Sequence, residues 1–154
     1  MTYEEVMKKA KSEIGPYCKV CPQCNGRACK NQMPGPGAKG VGDVAMRNYD
    51  AWKEIRINMD TICENVTPDT SIELFGEKFA YPFFAGPVGA VKLHYGEKYT
   101  DQEYNEILLA GCMEGGIAAF TGDGSDARVM QEATAAVQKL GGLGIPTVKP
   151  WDMD

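Results

Sequence analysis

The stretch that decides the reading of this chain is Ser71–Gly89, SIELFGEKFAYPFFAGPVG. Ile72-Glu73-Leu74 and Phe79 flank Gly76, as the two arms of a short hairpin flank its turn. The hairpin delivers the chain into an unbroken apolar run, Pro82 to Gly86, with Phe83, Phe84 and Ala85 inside it. Strands buried on both faces have that composition. The run ends in Pro87-Val88-Gly89, a turn with almost no side chain on it. Small residues remove the steric barrier to close approach, so backbone N–H and C=O groups there can press against a flat ligand.

Downstream the pattern returns twice. Thr100 and Glu103 make a capping box, opening a helix with Tyr104, Ile107, Leu108, Gly111 and Cys112 on its expected inner face. Ile117–Thr121 reads as the second buried strand and exits through Gly122-Asp123-Gly124. Ser125 or Asp126 caps the next helix, with Val129, Ala133, Ala136, Val137 and Leu140 inward and Gly141-Gly142 as its stop. Ile145 to Lys149 is the third strand. Strands separated by single helices run parallel. Doubly wound sheets and (β/α)8 barrels both begin this way, and both bind ligands at the C-terminal edge of the strands. The glycine-bearing turns at 86–89 and 122–124 lie on that edge. Asp123, between two glycines, suits a turn and a site equally. Lys149 emerges from a buried strand; an unpaired ammonium there is costly, so a negative ligand or an acidic partner is expected beside it. No G-x-G-x-x-G opens a helix and no G-x-x-x-x-G-K-[ST] occurs, so the dinucleotide fingerprint and the P-loop are absent.

Upstream, Thr2 and Glu5 form a first capping box for a helix over 2–14, with Tyr3, Val6, Met7, Ala10 and Ile14 on one face. Cys18, Cys21, Cys24 and Cys29 follow at spacings C-x2-C-x2-C-x4-C. Thiols this close can converge on one centre. The first two spacings match bacterial-type iron–sulfur ligation, and the last is one residue longer. Zinc held by four thiolates is the second chemistry, and reduced thiols lining a tight loop the third. MPGPGAKGVG, 33–42, reads as a loop or linker. Arg27, Lys30 and Lys39 around the cysteines read as solvated charges. Asp43 is the expected cap of a helix to Glu54 with Val44, Tyr49 and Trp52 inward, and Ile55–Met59 alternates like a half-buried strand. His94, the only histidine, sits in a charged link and reads as solvated.

The 154 residues are 44% hydrophobic and 24% charged, with a net charge of −5. That is the balance of a soluble globular chain. Without a Lys/Arg block it does not suit nucleic acid, and no apolar run nears the roughly 18 residues that span a bilayer. The N-terminus lacks a signal-peptide core, so the expected location is the cytoplasm, where six cysteines are thiols or metal ligands before they are disulfides. The expected organisation is a helical, Cys-rich and Gly/Pro-rich segment over 1–42 and an α/β body over 43–154.

Residues 58–93, NMDTICENVTPDTSIELFGEKFAYPFFAGPVGAVKL, resemble the start of the FMN-dependent α-hydroxy-acid dehydrogenase/oxidase family. The resemblance rests on Asp69-Thr70-Ser71, Leu74-Phe75-Gly76, Pro82 and Ala85-Gly86-Pro87-Val88-Gly89. GGIAAFTGDG and GIPTVKPWD look like that family's second and third barrel strands. The resemblance implies the N-terminal part of a (β/α)8 TIM barrel, about three strands of it, in a chain shorter than the roughly 250 residues of a whole barrel. It implies FMN as cofactor, a small 2-hydroxy acid such as lactate or glycolate as substrate, and a homo-oligomer when full length. Backbone groups of Pro87, Val88 and Gly89 would lie against the flavin. Thr121 stands where the family hydrogen-bonds it, and Thr147 and Lys149 stand where the family has a glutamine and a tyrosine. Lys149 would offset the negative charge of the reduced ring. The family's histidine base and substrate-binding arginine would lie beyond residue 154, and His94 does not match that base. Two rival readings are a flavin-dependent isomerase resembling the type 2 isopentenyl diphosphate isomerases, which needs a phosphate site, and a non-enzymatic four-cysteine metal module.

Overall fold

The computed structural model describes residues 1–15, 17–29, 43–141 and 144–149. The Gly/Pro-rich run 33–42, Lys30, Gly142 and residues 150–154 lie outside the described residues. The chain forms two compact units, Met1–Val66 with His94–Gly96 and Thr67–Leu93 with Glu97–Asp154. No helix among the described residues is long and apolar enough to cross a membrane.

In the first unit, α1 (Tyr3–Glu13) starts on the expected capping box: Thr2 N–H donates to the Glu5 carboxylate at 2.7 Å and Glu5 N–H to Thr2 Oγ1 at 3.3 Å. Its expected inner face is only half covered. Met7, Ala10 and Ile14 are half-buried, while Tyr3 and Val6 are exposed. The second helix, α2 (Val44–Ala51), runs into a 3-10 turn, Trp52–Glu54. Asp43 precedes it without a side-chain cap bond. Its backbone is helical, whereas a capping oxygen is aimed by an extended one. Tyr49 is half-buried and its hydroxyl donates to Gln23 Oε1 at 2.8 Å, but Val44 and Trp52 face solvent. The strand expected at Ile55–Met59 does not form, and Ile57 is 90% exposed. Alternation marks out two faces but supplies no hydrogen-bonding neighbour, and none of the described strands pairs with this segment.

In the second unit, β1 (Ile72–Leu74) and β2 (Glu77–Phe79) form the expected antiparallel hairpin. The two-residue turn, Phe75-Gly76, has φ of +56° and +79°. Positive φ at both positions is the type I′ geometry that matches strand twist, and it favours Asn-Gly. Phe75 occupies it with an exposed side chain. Phe75→Asn is therefore expected to raise stability by about 1 kcal/mol, read as a higher urea midpoint; a lower midpoint would show that the phenyl ring contributes packing. The hairpin is tied down by buried Phe79 and by two 2.8 Å hydrogen bonds, Thr70 Oγ1 to the Ala80 carbonyl and Ala80 N–H to the Gly116 carbonyl.

Beyond it the chain makes a short α3 (Val91–Tyr95), then α4 (Asp101–Glu114), β3 (Ala119–Thr121), α5 (Ala127–Leu140) and β4 (Gly144–Pro146). β3 pairs parallel with β4, and Ala85 bridges parallel to Ala119 on the other side of β3. The α/β order read from the sequence is therefore present: rung at Ala85, then β3, then β4. The Pro82–Gly86 run is not the strand expected. It contributes one rung, Ala85 N–H to Ala118 O and Phe120 N–H to Ala85 O, at 3.0 and 2.9 Å. Phe83 and Phe84 are 58% and 51% exposed. Burial on two faces needs two covering layers. Ala85 packs into the helical core, whereas Phe84 lies tilted against Phe120, ring centroids 5.2 Å apart, and stays open to solvent.

That core joins Leu109 and Cys112 of α4, Ala119 of β3 and Ala136 of α5, with Leu108, Ile117, Val137 and Leu140 packed against it. The buried stripe of α4 is Asp101, Asn105, Leu109 and Cys112; of the expected face Cys112 is buried and Leu108 packs against the core, while Ile107 and Gly111 are exposed, so the helix is rotated from the expected face. Internal hydrogen bonds explain the turn. Both Asp101 carboxylate oxygens accept from Val91 N–H at 3.3 Å, and Asn105 Nδ2 donates to the Asp101 carbonyl at 2.7 Å. These hydrogen bonds offset part of the cost of burying the two polar side chains, and Asn105 Oδ1 has no partner among the described residues. Asp101→Ala leaves the buried Val91 N–H unpaired, at an expected cost of about 2 kcal/mol; an unchanged urea midpoint would show that another acceptor takes over.

The caps of α4 and α5 stand as read. Thr100 and Glu103 form the box, and Asp126 accepts from Arg128 N–H at 2.9 Å. Hydrogen bonds from the Thr100 backbone and the Arg128 side chain hold the Glu103 and Asp126 carboxyls below their usual range. These caps therefore support the helices above that range and lose their contribution as pH falls through it. Gly141 ends α5 at φ +60°.

Candidate cofactor site

The site is built where β3 and β4 end, within the second unit. Thr121 is the last residue of β3 and is wholly buried, yet its Oγ1 has no hydrogen-bond partner among the described residues. A buried hydroxyl without a partner is destabilising, which makes this one a candidate contact for a ligand.

The two bare turns interlock. A Cβ on Gly122 would overlap the Val88 carbonyl and the Gly89 nitrogen, and a Cβ on Gly89 would overlap the Asp123 backbone. Main chain lies on main chain there, which only glycine permits. The emptiness read at Gly89 is thus occupied by the neighbouring turn. Gly86 is different: it faces open space, and Pro87 beside it is exposed. Val88 and Gly89 are half-buried.

Lys149, beyond the end of β4, has the acidic partner its position calls for. Its Nζ lies 3.6 Å from Asp123 Oδ1, with the Lys149 side chain 52% and the Asp123 side chain 13% exposed. The second oxygen, Asp123 Oδ2, is buried and has no hydrogen-bond partner among the described residues. Thr147 is half-buried two residues before Lys149. The edge therefore gathers Val88, Gly89, Thr121, Asp123 and Lys149, three of which carry polar groups in excess of their internal partners or in loose pairs. The role of Asp123 was open in the sequence; a carboxylate between two glycines, one strand away from an emerging lysine, was the signal.

A separate groove of about 440 Å³ opens by the first turns of α4 and α5, lined by Ala90, Lys92, Thr100, Asp101, Arg128 and Glu132 among others. Several of its polar groups are already engaged: Arg128 with Asp126, Asp101 with Val91 N–H, and Glu132 with Gln102 N–H. It offers a ligand less than the strand edge does.

The cysteines lie in the first unit, and the four-thiolate centre expected for an iron–sulfur cluster or zinc is not assembled. No three Cys, His, Asp or Glu side chains among the described residues form a group able to hold a metal ion. Cys18, Cys21, Cys24 and Cys29 are free thiols. Two sulfurs are taken up by local contacts instead: Cys18 Sγ accepts from Val20 N–H at 3.4 Å and Cys29 Sγ donates to the Gly26 carbonyl at 3.6 Å, while Cys24 is exposed. Burial, and then the charges of Cys18 and Cys24, push the Tyr95 phenol above its usual range. His94 is half-buried against Tyr95, not solvated, and its Nδ1 has no partner among the described residues.

A parallel α/β edge with an orphaned hydroxyl, a cation and an unpaired carboxylate oxygen defines a site for a polar ligand at the C-terminal ends of strands. A family model described as FMN-dependent dehydrogenase matches residues 36–141. The match spans well over half of the chain, which belongs to the FMN-dependent dehydrogenase family. Comparison with curated proteins and with solved structures gave no match. The family is one of FMN-dependent oxidoreductases built on the TIM barrel, and the short parallel strands agree with it at the level of an α/β fold. FMN fits the residues present. Its ring edge carries acceptors and an N–H that the Thr121 hydroxyl, the Lys149 ammonium and Asp123 Oδ2 can complement.

Proposed function

We propose that this chain is the flavin-holding N-terminal part of an FMN-dependent enzyme, on a (β/α)8 barrel, that oxidises a small 2-hydroxy acid to the 2-oxo acid. FMN, when bound, supplies the electron-accepting chemistry. The chain's own residues bind and orient it. Thr121 Oγ1 hydrogen-bonds the flavin, the main chain at Gly86, Pro87 and Val88 provides a surface without protruding side chains, and Lys149 sets a positive charge against the ring edge. Thr147 lines the same edge. A positive group there favours the reduced, more negative flavin.

The observation that carries this reading is the buried, unpartnered hydroxyl of Thr121 at the end of β3. The isomerase alternative asks for a phosphate site, and the cation at this edge is already shared with Asp123. The test is anaerobic addition of lactate or glycolate to the full-length protein, with its base and substrate-binding arginine, loaded with FMN. Bleaching of the yellow flavin band supports the reading. A flavin that binds but stays oxidised with every 2-hydroxy acid offered removes the substrate class, and a protein that ignores FMN removes the cofactor. The full-length protein is expected to be a cytoplasmic homo-oligomer.

A further inference from the structure

Asp123 raises a question that flavin binding in general does not answer. Its carboxylate is largely buried, and its place is set by backbone, because the Gly122–Asp123 main chain is locked against Val88 and Gly89. One oxygen faces Lys149 at 3.6 Å; the other, Oδ2, is buried without a donor among the described residues. A buried carboxylate oxygen without a donor is more costly than a neutral group in that position. Lys149 already supplies a positive charge beside this carboxylate, so a neutral hydroxyl or N–H is enough to complete it.

We propose that Asp123 is a ligand-contacting residue of this edge, whose Oδ2 accepts a hydrogen bond from a neutral donor, a hydroxyl or ring N–H, on the bound molecule. Lys149 acts as its counter-charge. The inference rests on the flavin reading above and adds a residue and a hydrogen-bond polarity to it. Three groups carry such a donor: the flavin ring, the ribityl chain and the 2-hydroxyl of the substrate.

Asp123→Asn separates them. The amide oxygen stays toward the Lys149 ammonium, so the NH2 group takes the place of Oδ2 and presents a donor where an acceptor is needed. In the full-length protein, binding is read by quenching of flavin fluorescence with FMN, riboflavin and lumiflavin, which lacks the ribityl chain, and by the spectral shift when a 2-hydroxy acid joins bound FMN. Circular dichroism checks the fold, and Asp123→Ser serves where D123N does not fold. A loss of about tenfold or more with all three flavins identifies the ring N–H. A loss with riboflavin and FMN alone identifies the ribityl hydroxyls, and a loss confined to the 2-hydroxy acid identifies the substrate. If D123N binds every ligand as the wild type does, the inference is overturned while the flavin reading stands. If the wild type binds no flavin, both fall.

Discussion

Gly122→Ala should cost the second unit about 3 kcal/mol or more, a large share of a typical domain's stability. The added methyl group would have to occupy space held by the Val88 carbonyl and the Gly89 nitrogen. Those are backbone atoms, so no side-chain rotation can relieve the overlap. One turn must move, and with it the alignment of Ala85 with β3. Gly86→Ala is the matched control. It adds the same methyl group to open space and should change stability by less than about 0.5 kcal/mol. Urea unfolding of the two variants decides the point. Equal midpoints would mean that the two turns are not locked together, and the fixed position of Asp123 would lose its basis.

Thr121→Val should act in opposite directions on stability and on binding. Valine is close to threonine in shape and lacks the hydroxyl. In the unliganded protein the exchange removes a wholly buried polar atom without a described partner, so stability should rise by about 1 kcal/mol. The same exchange removes the hydrogen bond to the flavin, and FMN affinity should fall about tenfold, equivalent to about 1.4 kcal/mol. Thermal unfolding without FMN and fluorescence quenching with it give the two numbers. A variant that loses stability would show that Oγ1 has an internal partner. One that gains stability and binds FMN unchanged would remove Thr121 from the site.

The edge that holds the site could be read from residues close together in the sequence. Thr100 and Glu103, like Thr2 and Glu5, are three residues apart and cap their helices by contacts that no distant part of the chain can alter. Gly141 ends α5 for the same local reason. The inner face of α5, with Ala133 and Ala136 buried, follows from apolar spacing alone. The face of α4 does not, because Asp101 and Asn105 are drawn inward by the Val91 N–H and a backbone carbonyl, and hydrophobic periodicity carries no record of such partners. Phe83 and Phe84 show a related failure. An apolar run states that a segment can be buried on two sides, not that two layers are there to bury it.

From the sequence alone came the alternation of helix and strand from Thr100 onward, the caps at Thr2, Thr100 and Asp126, the C-terminal edge as the place of the site, the resemblance to FMN-dependent enzymes, and the need for a partner beside Lys149. Each depends on neighbours within a turn or two of chain, or on the pattern of whole motifs. Only the tertiary structure decided which acid pairs Lys149, why Gly89 and Gly122 must be glycines, and that Thr121 Oγ1 is left unsatisfied among the described residues. Those facts depend on atoms brought together from segments far apart in the chain. Packing and hydrogen bonding settle such meetings, and no local propensity encodes them.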